Sequence, residues 1–181
     1  MYEISLIRSV VNKYSDYDLI SEENSNVESD DEVSDLYSLE YGLSCLALKF
    51  KELNEDSFHI ASDMVKALYK ILTFQNEQEI KIWAESLGLK DKGQESSLSK
   101  LYALSKDKLY RPVIIELQEL FSGRCIELAA QYAASANNKV LRFTSVGKTE
   151  ELQALEKERD LAKDTFEAVS NFCSRHRIVM S

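Results

Sequence analysis

Carboxylates and tyrosines crowd one stretch of this sequence, between residues 14 and 48. The stretch holds ten Asp or Glu residues and no Lys or Arg, so its formal charge is −10, whereas the whole chain carries −9. The acidity therefore belongs to one region. Carboxylates steer a basic partner over long distances, and tyrosine supplies contact area and a hydroxyl at protein interfaces. The partner-binding surface that we predict comprises Asp16, Tyr17, Asp18, Glu22, Glu23, Glu28, Asp30, Asp31, Glu32, Asp35, Tyr37 and Tyr41.

The two histidines, His59 and His176, are the candidate bases of an enzyme. A base without a nucleophile or an electrophile beside it does not make an active site, and the sequence pairs neither histidine with one. Cys173 and His176 have half of a zinc-like spacing, but no second pair completes four ligands. We therefore predict no catalytic residue, no metal site and no cofactor.

The three cysteines are Cys45, Cys125 and Cys173. Their number is odd and their spacing wide, which is not the pattern of a secreted, disulfide-stapled domain. All three fall on or beside the apolar faces of predicted helices. We expect buried, unreactive thiols.

Length and composition favour a single all-α domain over residues 1–181. The chain is 44% hydrophobic and contains only five Gly and one Pro, which suits long helices better than a turn-rich sheet. The first residues do not resemble a signal peptide, and no run reaches the roughly 18 apolar residues of a membrane span. We predict a cytoplasmic protein that does not bind membranes. The net charge of −9 argues against direct nucleic-acid binding.

Hydrophobic periodicity predicts a bundle of six or seven helices. An acidic loop, or partly disordered segment, is expected over residues 15–31, and an extended connector over residues 139–148. The helices are predicted near residues 2–14, 30–53, 57–74, 77–87, 96–108, 113–137 and 149–178.

Two local patterns make sharper predictions. Leucines from Leu36 to Leu53 alternate spacings of three and four, which is a heptad seam, and Gly42 inside it indicates a close crossing by another helix. Asn76 followed three residues later by Glu79 has the form of a capping box, so a helix should begin there.

These observations favour a non-catalytic binding protein, such as an inhibitor, an immunity-type protein or an adaptor, that engages the basic surface of a protein partner. One alternative is a nucleic-acid mimic, in which helical carboxylates imitate phosphates and block a DNA- or RNA-binding enzyme. A second is a homo-oligomeric assembly protein built through the edges of the heptad seams. A third is an enzyme of unfamiliar type that uses His59 or His176 as its base.

Overall fold

The computed structural model describes residues 2–16, 28–89, 91–143 and 149–177, and these residues form seven helices with no strand. The prediction of an all-α bundle is confirmed. The helices are α1 (Tyr2–Asp16), α2 (Glu28–Leu53), α3 (Ser57–Thr73), α4 (Glu77–Ser86), α5 (Lys92–Ser105), α6 (Arg111–Phe143) and α7 (Thr149–Arg175).

Helix α6 is the central element, because α7, α3 and α1 all pack along it. Helix α7 runs antiparallel to α6, since Lys139 near the end of α6 pairs with Glu158 near the start of α7. On the other side of the core, α2 packs between α1 and α5, and α4 lies against α5. The largest fully buried side chains include Phe121 of α6 and Met64 and Leu68 of α3.

The heptad seam of α2 faces this core as predicted, from Leu36 to Phe50, but Leu53 at its end is exposed. Gly42 lies at the crossing of α2 and α5. A Cβ atom added there would come within 3.2 Å of the Ser97 carbonyl oxygen and 3.4 Å of the Leu101 Cβ. The predicted close crossing is therefore confirmed, and α5 is the helix that makes it.

Several predicted boundaries are wrong, including those of α5, which spans Lys92–Ser105 rather than residues 96–108. The extended connector over residues 139–148 is helical as far as Phe143, because α6 continues and buries Val140. Residues 144–148 lie outside the described part of the chain. The acidic loop predicted over residues 15–31 is helical at both ends, since α1 runs to Asp16 and α2 begins at Glu28, and residues 17–27 lie outside the described part of the chain. Carboxylates suit the first turn of a helix, where the backbone N–H groups lack partners.

The capping box at the start of α4 is confirmed, except that the Glu79 side chain binds a backbone N–H one residue earlier than the pattern predicts. The Asn76 side chain accepts a hydrogen bond from the Glu79 backbone N–H at 3.0 Å. The Glu79 carboxylate accepts one in return from the N–H of Gln75, at 2.9 Å, rather than from Asn76 itself. Gly88 then ends the helical segment with a φ of 81°, the left-handed conformation that glycine adopts without strain.

Replacing Asn76 with Ala is expected to destabilise the protein by about 1 kcal/mol, because the N–H of Glu79 loses its acceptor. For a chain of this size the melting temperature should fall by about 2–4 °C. Circular dichroism during heating measures the effect. Gln78→Ala, an exposed change in the same helix, is the control, and an equal fall in both variants would contradict the capping role.

Candidate functional site

The side of α2 that faces away from the core carries exposed aromatic and aliphatic side chains. Tyr37 is 63% exposed, Tyr41 55% and Leu48 50%. The spacings of four and seven residues place all three along one line of the helix, opposite the buried seam. We call this line of Tyr37, Tyr41 and Leu48 the α2 outer face. Large side chains that remain exposed on one face are candidates for contact with another molecule.

Two carboxylates of α2 each pair with a cation from another helix. Asp35 lies two residues before Tyr37 and therefore on the α5 side of α2, away from the outer face, whereas Glu40 borders that face. Asp35 Oδ1 lies 3.2 Å from Lys100 Nζ of α5, and Glu40 Oε1 accepts a hydrogen bond from Arg8 Nε of α1 at 2.9 Å. The Lys100 side chain remains 46% exposed and the Arg8 side chain 67%. Both are surface ion pairs, so each contributes only about 0–1 kcal/mol to folding.

The structure places the other predicted site residues in three groups. Asp16 is the last residue of α1. Glu28, Asp30, Asp31 and Glu32 belong to the first turns of α2, and their backbone alone is described. Asp30 lies seven residues before Tyr37, so helical register puts it on the line of the outer face. The remaining predicted site residues lie outside the described residues: Tyr17, Asp18, Glu22 and Glu23.

Tyr41 also contacts a cysteine of its own helix. Its hydroxyl lies within hydrogen-bonding reach of the Cys45 thiol, one turn further on, and this neighbour raises the pKa of Tyr41 above its ordinary value. Partial burial raises the pKa of Cys45, and the hydrogen bond with Tyr41 offsets part of that rise. Tyr41 is therefore a neutral phenol at physiological pH, able to donate a hydrogen bond to a partner.

Tyr14, the acidic stretch's first tyrosine, has a different surrounding. It is half-buried beside Glu116 of α6, and burial and that carboxylate together raise the pKa of Tyr14 to about 12. Burial would raise the pKa of Glu116, but hydrogen bonds from Lys13 and Tyr14 outweigh it, so the pKa is lowered. This cluster joins α1 to α6 and contributes to the fold rather than to the α2 outer face.

Both histidines pack against aromatic side chains. His176 Nδ1 lies 2.9 Å from the Phe172 carbonyl oxygen, and its ring centroid lies 4.9 Å from that of Tyr69. His59 packs edge-on against Phe58 and lines a cavity of about 360 Å³ between α3, α6 and α7. Asp63, four residues after His59, accepts a hydrogen bond from Asn54 at 2.7 Å.

Sequence reasoning missed the approach of Cys125 of α6 to Cys173 of α7, whose thiols lie close enough to shift each other's pKa. Cys173 also lies 3.7 Å from the Ser122 carbonyl oxygen. The only signal in the sequence was that both cysteines fall on the core-facing lines of their helices, which does not reveal that these lines meet. Among the described residues, no three His, Cys, Asp or Glu side chains come together as a metal site would require.

Within the described residues, no helix has the length and apolar character needed to cross a membrane. Comparison with protein-family models, with curated proteins and with solved structures finds no match for this chain. The class that the fold defines is therefore an all-α protein of seven described helices, with an exposed tyrosine-bearing face on α2.

Proposed function

We propose that this chain is a non-catalytic binding protein, of the inhibitor, immunity-type or adaptor kind, whose acidic α2 region engages a basic surface of a protein partner. The observation that carries the proposal is the exposure of Tyr37 and Tyr41 on the α2 outer face, within a stretch of −10 formal charge. A tyrosine buries a large area on binding at a low cost in side-chain entropy, and its hydroxyl finds a polar partner.

The ion pairs of Asp35 and Glu40 support the proposal, because they are weak enough to be exchanged. Lys100 and Arg8 lie against Asp35 and Glu40 at the surface, where solvent and salt screen their attraction. A cation from a partner can replace either one at little cost to the fold. The bound complex would then keep each carboxylate paired, which avoids leaving a desolvated charge alone.

Salt dependence is the first test of this proposal. The full-length protein is immobilised and exposed to a lysate of its native host at low and at high salt, and mass spectrometry measures what is retained. A basic protein held at low salt and released at high salt is the expected result. A retained DNA- or RNA-binding protein that nucleic acid displaces would favour the mimic alternative. Retention of the chain's own copies alone, with sedimentation showing an oligomer, would contradict the proposal.

Replacing Tyr37 and Tyr41 together with Ser is expected to weaken capture of that protein by about tenfold or more, since each lost aromatic contact removes apolar area and a hydroxyl. The melting temperature should change little, because both side chains are exposed. Quantitative mass spectrometry of the captured protein measures the effect. The matched control replaces Ile82 of α4 and Leu161 of α7 with Ser as well. These two side chains are 59% and 60% exposed. If both double variants capture the protein equally well, the α2 outer face does not take part in the interaction.

A further inference from the structure

Two cysteines that lie 48 positions apart in the sequence meet between the two longest helices. Cys125 of α6 is fully buried, and Cys173 of α7 is 6% exposed. The Cys173 Sγ lies 3.7 Å from the carbonyl oxygen of Ser122, one turn before Cys125, so the packing of α6 against α7 brings the two thiols close together. Cysteines at facing positions of two packed helices form a disulfide when their Cβ atoms approach to about 4 Å.

A cavity gives one of these thiols a route to solvent. It has a volume of about 420 Å³, lies between α6 and α7, and is lined by Cys173 but not by Cys125. Gln118, Ser122, Ser174 and Arg177 supply polar groups to the lining. An added Cβ at Gly123, on the same wall, would meet no atom within 4 Å, so this side of α6 is open.

The cavity wall also contains an unpaired polar group. Gln118 is 2% exposed, and its Nε2 atom has no hydrogen-bond partner among the described residues. Buried amide groups are almost always paired, because leaving a donor unsatisfied costs about 1–3 kcal/mol. A polar molecule in the cavity could supply an acceptor to this amide after a small side-chain rotation.

The two thiols differ in character. Interaction with Cys125 lowers the pKa of the Cys173 thiol below its ordinary value, whereas interaction with Cys173 and burial raise the pKa of the Cys125 thiol. Nearby charges act on Cys125 in opposite directions, since Arg124 favours its thiolate and Asp63 disfavours it. Glu119 and Arg177, one of each sign, face the cavity from α6 and from the end of α7.

We propose that Cys125 and Cys173 form a dithiol site that small-molecule disulfides oxidise through the α6–α7 cavity. The Cys173 thiolate attacks one sulfur of the disulfide, forms a mixed disulfide and releases the first small thiol. The Cys125 thiol then loses its proton and attacks the Cys173 sulfur, which forms the Cys125–Cys173 disulfide and releases the second small thiol. The protein loses two protons and two electrons, and the small disulfide gains both as it becomes two thiols.

The order of attack follows from access and from chemistry. Cys173 is the thiol on the cavity wall, and its sulfur carries more thiolate character near neutral pH, so it is the attacking group. Cys125 lies behind it, where a small disulfide does not reach, and acts as the resolving thiol. The half-buried Cys45 on α2 has no cysteine beside it among the described residues and provides an internal control.

The test treats the full-length protein with cystamine at pH 7, quenches it by alkylation and identifies the state of each cysteine by mass spectrometry. The wild type should form the Cys125–Cys173 disulfide and retain no adduct. Cys125→Ser should retain one cysteamine on Cys173, because its resolving thiol is gone. Cys173→Ser should leave Cys125 unmodified. Adduct formation at Cys45 while Cys125 and Cys173 stay reduced would overturn the proposal.

A second measurement uses the wild type without any substitution at the pair. The rate of alkylation by iodoacetamide should reach half its maximum at a lower pH at Cys173 than at Cys45. Cys125→Ala removes the neighbour that lowers the pKa of Cys173, so the Cys173 profile should move to higher pH. A Cys173 profile that already coincides with that of Cys45 in the wild type would likewise overturn the proposal. Cys45→Ser should leave the chemistry of the pair unchanged.

Discussion

Reversing Asp30, Asp31, Glu32 and Asp35 of α2 to Lys is expected to weaken partner capture by about a hundredfold at low salt. Each exposed charge contact with a basic surface is worth about 0.5–1 kcal/mol, and reversal replaces attraction by repulsion. Four such changes add to about 2.7 kcal/mol, which corresponds to a factor of about a hundred. The difference between wild type and variant should shrink as salt rises, because screening weakens both the attraction in the wild type and the repulsion in the variant.

The fold should survive this change. Asp35 exchanges a surface ion pair with Lys100 for a like-charge contact, which costs about 1 kcal/mol or less. Circular dichroism should therefore show unchanged helical content. The matched control reverses Glu150, Glu151, Asp164 and Glu167, which are exposed carboxylates of α7, two of them also in the first turn of their helix. If the α7 variant loses capture as strongly as the α2 variant, only net charge matters and the α2 surface is not specific.

Gly42→Leu is expected to lower the free energy of unfolding by about 3 kcal/mol, because the new side chain has no room at the crossing of α2 and α5. The Cβ alone would stand 3.2 Å from the Ser97 backbone oxygen, an atom that cannot rotate away. For a chain of this size the melting temperature should fall by roughly 6–12 °C. Urea unfolding followed by circular dichroism measures the free energy directly.

Gly123→Ala is the natural comparison, since Gly123 is also a helical glycine but has no atom within 4 Å of an added Cβ. There the substitution should stabilise the protein by about 0.5–1 kcal/mol, because alanine loses less backbone entropy in a helix. The two substitutions are therefore expected to change the free energy of unfolding in opposite directions. Stabilisation by both changes would mean that helix propensity and not the crossing governs Gly42.

Local patterns determined much of the fold. The spacing of Leu36, Leu39 and Leu43 predicted a buried seam on α2, because residues three and four apart share one side of a helix whatever it packs against. Asn76 and Gly88 marked the ends of α4 through hydrogen bonding and backbone conformation that involve only a few neighbouring residues. The clustering of acidic residues is likewise a property of the sequence alone.

The extent of α6 was decided by packing at a distance. Val140 and Phe143 are compatible with a strand by local preference, which is why an extended connector was predicted over residues 139–148. In the structure α6 continues through both residues, and Val140 is buried beside α7. Local propensity is a weak preference, and burial against a neighbouring helix outweighs it.

The sequence also did not predict which distant residues contact each other. It determined that Asp35 is acidic and Lys100 basic, and that Cys125 and Cys173 lie on apolar faces. Only the packing of α2 against α5 and of α6 against α7 decided which of these side chains meet. Helical periodicity specifies the face that a residue occupies, but the partner on the opposite helix depends on how the whole bundle minimises its exposed apolar surface.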